Sequence, residues 1–244
     1  IHDNAYAIGA VDFTGDMPVI LGPDGPSLGG FVCPVTVIQA DLWKLGQLKA
    51  GDKIRFTPVS HDTAVSLRDD QLKQLDSLEY QASEVSEYLP DSPVLKTIDT
   101  KNHPTGVVYR PAGDNYLLIE YGPLQLDIRL RFRVHALMES LQSRDIPGII
   151  EMTPGIRSLQ IHYDSLALKQ NDLLDLLIKE EGALGDLKNA EVPSRTVWLP
   201  LSWNDIACQQ AVDKYVKSVR ADAPWCPDNI EFIRRINGLN SVDE

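Results

Sequence analysis

Residues 148–163 read Gly148-Ile149-Ile150-Glu151-Met152-Thr153-Pro154-Gly155-Ile156-Arg157-Ser158-Leu159-Gln160-Ile161-His162-Tyr163. Two short runs rich in apolar and β-branched residues, 148–153 and Ser158–Tyr163, flank Pro154-Gly155. Pro presets φ and Gly tolerates the left-handed region, so the pair predicts a hairpin between two strands. Upstream, residues up to Arg144 place Leu130, Val134, Leu137 and Leu141 at helical spacing. The first turns of that helix are ambiguous, because Leu126, Ile128, Leu130, Phe132 and Val134 also alternate like a strand. Before it, Tyr116–Tyr121 is a strand. Downstream, residues 168–181 form a helix with Leu173, Leu176 and Leu177 inward, ending near Gly182, and residues 195–202 close the unit as a strand. The order β-α-β-β-α-β is the split ferredoxin-like arrangement, here spanning residues 106–203. That fold hosts unrelated activities and names no chemistry by itself.

Residues 1–60 are β-rich. Residues 5–13, 17–21, 31–38 and 53–59 read as strands, the last through the alternation of Ile54 and Phe56, and residues 41–48 as a short helix. Thr14-Gly15-Asp16 and the run from Gly22 to Gly30 are loops. Residues 61–105 combine a helix over 66–89, opened by Ser66 with Asp69 three residues later, and a linker bounded by Pro90, Pro93 and Pro104. Leu72, Leu75, Leu78, Ala82, Val85 and Leu89 recur along that helix. Residues 204–244 start with a helix from Ser202 and Asp205 to about Arg220. A second follows Cys226-Pro227-Asp228. The fold class is therefore α+β.

The 244 residues carry a formal net charge of -12 and are 43% hydrophobic, enough to bury roughly 70–75% of the unfolded surface. Nine acids against three bases between His61 and Thr100 contribute half of that charge, which reads as a solvated face and linker. The acidity excludes nucleic acid as a partner. No signal peptide or apolar run of membrane-spanning length is present, so no membrane partner is expected. Cys33, Cys208 and Cys226 read as buried free thiols in a cytoplasmic protein. Tryptophans 43, 198, 203 and 225 read as core or interface anchors. A chain opening on Ile1 is expected to be a piece of a longer one.

His61, His103, His135 and His162 are isolated and no metal-ligand spacing occurs, so no metal site is expected. Neither a P-loop nor a Gly-x-Ser-x-Gly elbow is present. The glycines of Gly22–Gly30 form either a tight surface loop or, through the amides of Gly29 and Gly30, a cradle for a developing oxyanion. His2, Asp3 and Asn4 gather a proton-transfer group, a carboxylate and an amide, and Asp12 and Asp16 flank Phe13-Thr14-Gly15. These groups can hold a small polar molecule; turn and cap chemistry is the competing reading. Lys44, beside Trp43, is either a solvated lysine or an anion contact.

Three stretches then become familiar. His2-Asp3-Asn4-Ala5-Tyr6-Ala7-Ile8-Gly9, Asp12-Phe13-Thr14-Gly15-Asp16-Met17-Pro18 and Gly22-Pro23-Asp24-Gly25-Pro26-Ser27-Leu28-Gly29-Gly30-Phe31 resemble the carboxyltransferase region of the biotin-dependent urea carboxylases, at the end of a segment similar to the allophanate hydrolase subunit 2 family. Gly113-Asp114-Asn115-Tyr116-Leu117-Leu118-Ile119-Glu120-Tyr121-Gly122 and Pro154-Gly155-Ile156-Arg157-Ser158-Leu159-Gln160-Ile161-His162-Tyr163-Asp164 resemble the start of the subunit 1 family. Ala223-Pro224-Trp225-Cys226-Pro227-Asp228-Asn229-Ile230-Glu231 is similar to urea carboxylases as well.

The resemblance implies a partial cyclophilin-like segment before the ferredoxin-like domain, and the start of a further β-rich subdomain at residues 204–244. It implies transfer of carboxylate from carboxybiotin to urea, giving allophanate. Biotin would ride on a carboxyl carrier domain. ATP and a divalent metal would belong to a biotin carboxylase domain, both outside this chain, which alone would be inactive. His2, Asp3 and Asp16 then become catalytic candidates, and Asn4, Asp12, Gly29, Gly30 and Lys44 substrate-binding ones. The alternatives are a non-catalytic regulatory or binding module related to the subunit 1 family, and an enzyme of the 5-oxoprolinase or allophanate-related type.

Overall fold

The computed structural model describes residues 4–13, 17–25, 28–83, 85–202 and 204–243. It is a mixed α/β protein built on antiparallel sheets, and the chain divides into two compact units, Ile1–Ala190 and Glu191–Glu244.

The first unit is centred on a five-stranded sheet of β6 (Lys96–Ile98), β7 (Val107–Pro111), β8 (Tyr116–Tyr121), β9 (Ile149–Pro154) and β10 (Ser158–Tyr163), in the order β6-β7-β8-β10-β9. The predicted hairpin pairs Leu159 with Pro154 and Ile161 with Met152, and β10 returns against β8, with Ser158 opposite Glu120 and Gln160 opposite Leu118. Strand alternation then separates two faces. Val107, Tyr109, Leu117, Ile119, Tyr121, Leu159, Ile161 and Tyr163 all point to one side. There they meet Leu130, Val134, Leu137 and Leu141 of α3 (Ile128–Gln142) and Leu173 and Leu177 of α4 (Gln170–Leu184), all nearly or fully buried. The ambiguous turns before Val134 are helical from Ile128 on, because the Asp127 carboxylate accepts from the Arg129 amide and caps the helix. Leu176 packs only partly against this core.

The order β8-α3-β9-β10-α4 is as expected, but the closing strand is not. Residues 195–202 are exposed and form no strand. The place beside β8 is held by β7, joined to it through a tight connection in which the Ala112 amide donates to the Tyr116 carbonyl and Gly113 sits at φ 86°. The β7–β8 connection is only residues 112–115 long, so this pairing is local and needs no return of the chain from residue 195.

Before this domain lie β1 (Asn4–Ala5), β2 (Ala10–Phe13), β3 (Pro18–Ile20), β4 (Leu28–Gly29) and β5 (Val32–Thr36). β1 pairs with β4, and β2 is central in a separate sheet, β3-β2-β5. A short 3-10 turn, Gln39–Asp41, leads into α1 (Leu42–Leu45). Residues 53–59 form no strand, and Ile54 and Phe56 are exposed. α2 spans His61–Ser77, not 66–89. Its cap is Ser60, whose hydroxyl accepts from the Thr63 amide, so Ser66 lies inside the helix; Leu78 ends it in the left-handed region at φ 58°. The expected apolar face is not covered: Leu72 and Leu75 are exposed, and Ala64 is the buried residue.

In the second unit, Asp205 caps α5 (Ile206–Ser218) by accepting from the Cys208 amide, and receives the Ser202 hydroxyl. Asp228 caps α6 (Asn229–Asn237), accepting from the amides of Ile230 and Glu231. Trp225 packs between Tyr215 and Phe232. Trp43 and Trp198 are exposed rather than core anchors, and Trp203 lies outside the described residues. The three cysteines are free, but Cys208 is exposed and the other two are half-buried. Among the described residues no helix is long and apolar enough to cross a membrane.

Candidate functional site

The five-stranded sheet turns its second face away from α3 and α4, and the N-terminal strands cover part of it. β1 packs on β10 and β9, while Tyr6, Ala7, Ala10 and Leu21 form a small buried cluster with Tyr116. Tyr116 stacks on His162 with ring centroids 4.3 Å apart. Burial pushes the His162 imidazole below its ordinary value, against the nearby charge of Glu151, so it favours the neutral form.

Asn4 and Gly29 are direct partners in the β1–β4 ribbon, so the structure brings these two candidates together. Gly29 has a steric reason to be glycine: a Cβ there would collide with the Tyr6 ring. The Tyr6 hydroxyl in turn accepts from the Phe31 amide at 2.9 Å. Gly30, just past β4, is exposed.

Asp12 is on β2, where the register against β5 shifts between Val11 and Phe13. Such irregularities re-aim side chains. Asp12 is 3% exposed, and its Oδ1 has no hydrogen-bond partner among the described residues. Its charge, second to burial, raises the neighbouring Cys33 thiol to about 11. His2, Asp3 and Asp16 lie outside the described residues, as does the Asn4 side chain. Lys44 is engaged by Asp41 at 2.6 Å and is more than half exposed, which matches the solvated alternative.

Several polar groups escaped the sequence reading because their partners are far away in the chain. On the second face, Glu120 accepts from Arg110 Nε at 2.6 Å and from Arg157 Nη2 at 2.9 Å. Arg157 also donates to the carbonyls of Tyr121 and Gly122. Ser158 and Gln160 follow on β10, 2% and 4% exposed. At the other end of β8, Asp114 is 2% exposed, and both its oxygens accept from the Gln39 amide at 3.1 and 3.2 Å. Burial raises its carboxyl above the ordinary value, partly opposed by the backbone amides of Asp114 and Gln39 and by the nearby His61 and Arg68. His61 Nε2 lies 3.1 Å from the Tyr163 hydroxyl. In the resembling stretch around Gly113, Asp114 and Asn115 therefore have structural work, with Asn115 accepting from the Ser165 hydroxyl at 2.7 Å.

A shallow groove of about 490 Å³ lies beside the first turn of α3, lined by Leu126, Ile128, Arg131, Pro154, Gly155 and Ile156. Among the described residues, none of the candidates lines it. Among the described residues no three His, Cys, Asp or Glu side chains converge to hold a metal ion.

Comparison with known proteins matches residues 1–58 to the family described as carboxyltransferase domain, subdomain A and B, and residues 107–244 to carboxyltransferase domain, subdomain C and D. The chain is 40% identical over 248 residues to the urea amidolyase of Lachancea kluyveri, covering 99% of this chain and 14% of that protein. The crystal structure of the Kluyveromyces lactis urea carboxylase superposes with a TM-score of 0.81 at 39% identity, covering 98% of this chain and 22% of that one. The K. lactis urea amidolyase superposes with a TM-score of 0.82 at 40% identity, covering 98% and 15%. The chain thus spans about one seventh of the length of the urea amidolyases it matches. On this evidence the chain belongs to the carboxyltransferase domain family.

Proposed function

We propose that this chain provides the site at which urea is carboxylated to allophanate. The observation that supports the reading best is Asp12, a buried carboxylate with one oxygen that no donor among the described residues reaches. An orphaned buried acceptor is costly, and a urea NH2 is a donor that satisfies it. Asp3, Asn4, Asp12 and Asp16 orient urea. The amides of Gly29 and Gly30 face the oxyanion that develops at the visiting group, where one well-aimed donor is worth roughly 3–4 kcal/mol. The exposure of Gly30 suits a group that arrives from outside. Biotin, brought by a carboxyl carrier domain, supplies the activated carboxylate. His2 is the candidate for moving the proton that urea gives up. Lys44 contacts a substrate anion only if it leaves Asp41. The rest of the chain's contribution is positioning.

ATP and its divalent metal belong, in this reading, to a biotin carboxylase domain elsewhere in a longer cytoplasmic protein, and the isolated chain is inactive. The strand order supports a ferredoxin-like description in which β7 stands where a fourth strand would. The cyclophilin-like description of residues 1–60, and kinship with the allophanate hydrolase subunits, rest on the resemblance.

The test is urea-dependent allophanate formation by the complete carboxylase carrying this chain. Asp12→Ala is expected to lower kcat/KM for urea about 100-fold or more, while carboxylation of biotin in the absence of urea persists. Undiminished turnover in Asp3→Ala and Asp12→Ala would remove these residues from the site.

A further inference from the structure

We infer that the groove beside the first turn of α3 docks a polypeptide segment from elsewhere in the longer carboxylase, one that sets an acidic side chain between apolar ones, with Arg131 as the contact for the acid. The inference does not depend on the urea reading. The groove, about 490 Å³, is mostly apolar: Leu126 and Ile128 come from the entry to α3, and Pro154 and Ile156 from the β9–β10 turn. Among the described residues its charged lining is Asp127 and Arg131. Asp127 is already taken. It accepts from the Arg129 amide as the helix cap, and from Arg129 Nε and Nη2. Those two charges answer each other, and Arg131 enters no ion pair among the described residues. Its Nη1 is enclosed and has no hydrogen-bond partner among them. Leaving a charged donor enclosed and unused is costly. A carboxylate matches a guanidinium in charge and in shape, whereas a neutral or cationic occupant leaves that charge standing.

The extent of the apolar surface selects a polypeptide over a small molecule. Small-molecule sites enclose most of their ligand, and this groove is shallow. Apolar surface also continues past it. Ile128, Arg131 and Phe132 share one face of α3 through their i, i+3, i+4 spacing, and both apolar members are exposed. Leu124 and Leu126 are exposed just before the helix. A segment with apolar side chains on either side of an acid covers Ile128 and Phe132 while the acid meets Arg131. An arginine among apolar groups is a common anchor of such interfaces. The chain covers 22% of the urea carboxylase and 15% of the urea amidolyase it superposes on, so most of such a protein is available to supply the segment.

Two experiments test this. On this chain, the amide resonances of Gly155 and Ile156 should shift saturably with the peptide acetyl-Leu-Glu-Leu-Leu-amide, whose one charge is the glutamate. The glutamine counterpart should bind roughly tenfold more weakly, the loss expected for a hydrogen bond between charged groups. Arg131→Leu should abolish the preference for the glutamate peptide, and Arg131→Lys should keep it. The comparison of the two peptides on the parent chain needs no variant to fold. Equal affinity for both peptides, or no saturable shift at these amides, overturns the inference. Tighter binding of hexanoate than of the glutamate peptide assigns the groove to a small carboxylate and overturns the polypeptide. In the complete carboxylase, p-benzoylphenylalanine at position 128 should crosslink on irradiation to a peptide of the same enzyme, outside these 244 residues, that contains Asp or Glu. A crosslink within these residues, to another protein, or none at all overturns the assignment of the occupant.

Discussion

Arg133 and Glu181 form an ion pair inside the sheet–helix core, Nε 2.5 Å from Oε1, with side chains 4% and 0% exposed. The same carboxylate accepts from the Tyr121 hydroxyl at 2.7 Å and from His103 Nε2 at 2.8 Å, and Arg133 also donates to the Gly185 carbonyl. The cluster ties α4 to α3, to β8 and to the segment before β7. Removing one partner strands a buried charge, so Glu181→Leu should cost about 3–5 kcal/mol of unfolding free energy. The double variant Arg133→Met, Glu181→Leu should recover much of it. Chemical denaturation of the parent chain and the two variants measures both effects.

Two tyrosines of the same core separate a used hydroxyl from an unused one. Tyr121 donates to Glu181, whereas the Tyr109 hydroxyl is buried without a partner among the described residues. Tyr121→Phe should lose about 1.5–3 kcal/mol, the range for a hydrogen bond to a charged group. Tyr109→Phe should be neutral or stabilising. Denaturant midpoints at constant slope decide the ordering.

Asp114 makes stability depend on pH in a direction that can be worked out. Burial raises its folded pKa above the ordinary 3.8. Between 3.8 and the raised value the folded state holds the proton more than the unfolded state does. Stability from this group therefore falls as pH rises through that window. Asp114→Asn retains one acceptor for the Gln39 amide and removes the titration. Its stability relative to the parent chain should climb as pH increases from about 4 and level off above the folded pKa. Thermal unfolding of both proteins across that range checks the slope.

Cys33 should be a slow thiol. Burial, then the Asp12 charge, raises it to about 11, and only the thiolate reacts. At pH 8 a thiol reagent should label exposed Cys208 first. Asp12→Asn should speed labelling of Cys33 by weakening the repulsion that opposes its thiolate. Mass spectrometry of time points resolves the order.

Much of the site's scaffold was legible in the chain itself. The Pro154-Gly155 hairpin, the apolar face of α3 and the caps Asp205 and Asp228 arise from contacts a few residues apart, and alternation and spacing record them directly. The 66–89 helix misled because Leu78, Val85 and Leu89 keep helical spacing in a segment that buries little; the local Ser60 cap and the left-handed Leu78 set the ends instead. Of the candidate residues, the pairing of Asn4 with Gly29 and the burial of Asp12 emerged only in three dimensions. Ser158 and Gln160 stand on a strand against which β1 packs from far away in the sequence, a contact no local pattern shows.

The sequence by itself determined the Pro154-Gly155 hairpin, the helices that pack on it and the family resemblance, because turns and side-chain periodicity are short-range interactions written in neighbouring residues. Only the tertiary structure decided which strand lies beside β8, which carboxylates are buried, and which polar groups on the second face are left without partners. The burial of these groups depends on pairings between residues distant in the chain, such as Phe31 with Tyr6 and Gln39 with Asp114. Their energies come from burial and loop closure across the whole unit, and no local pattern encodes them.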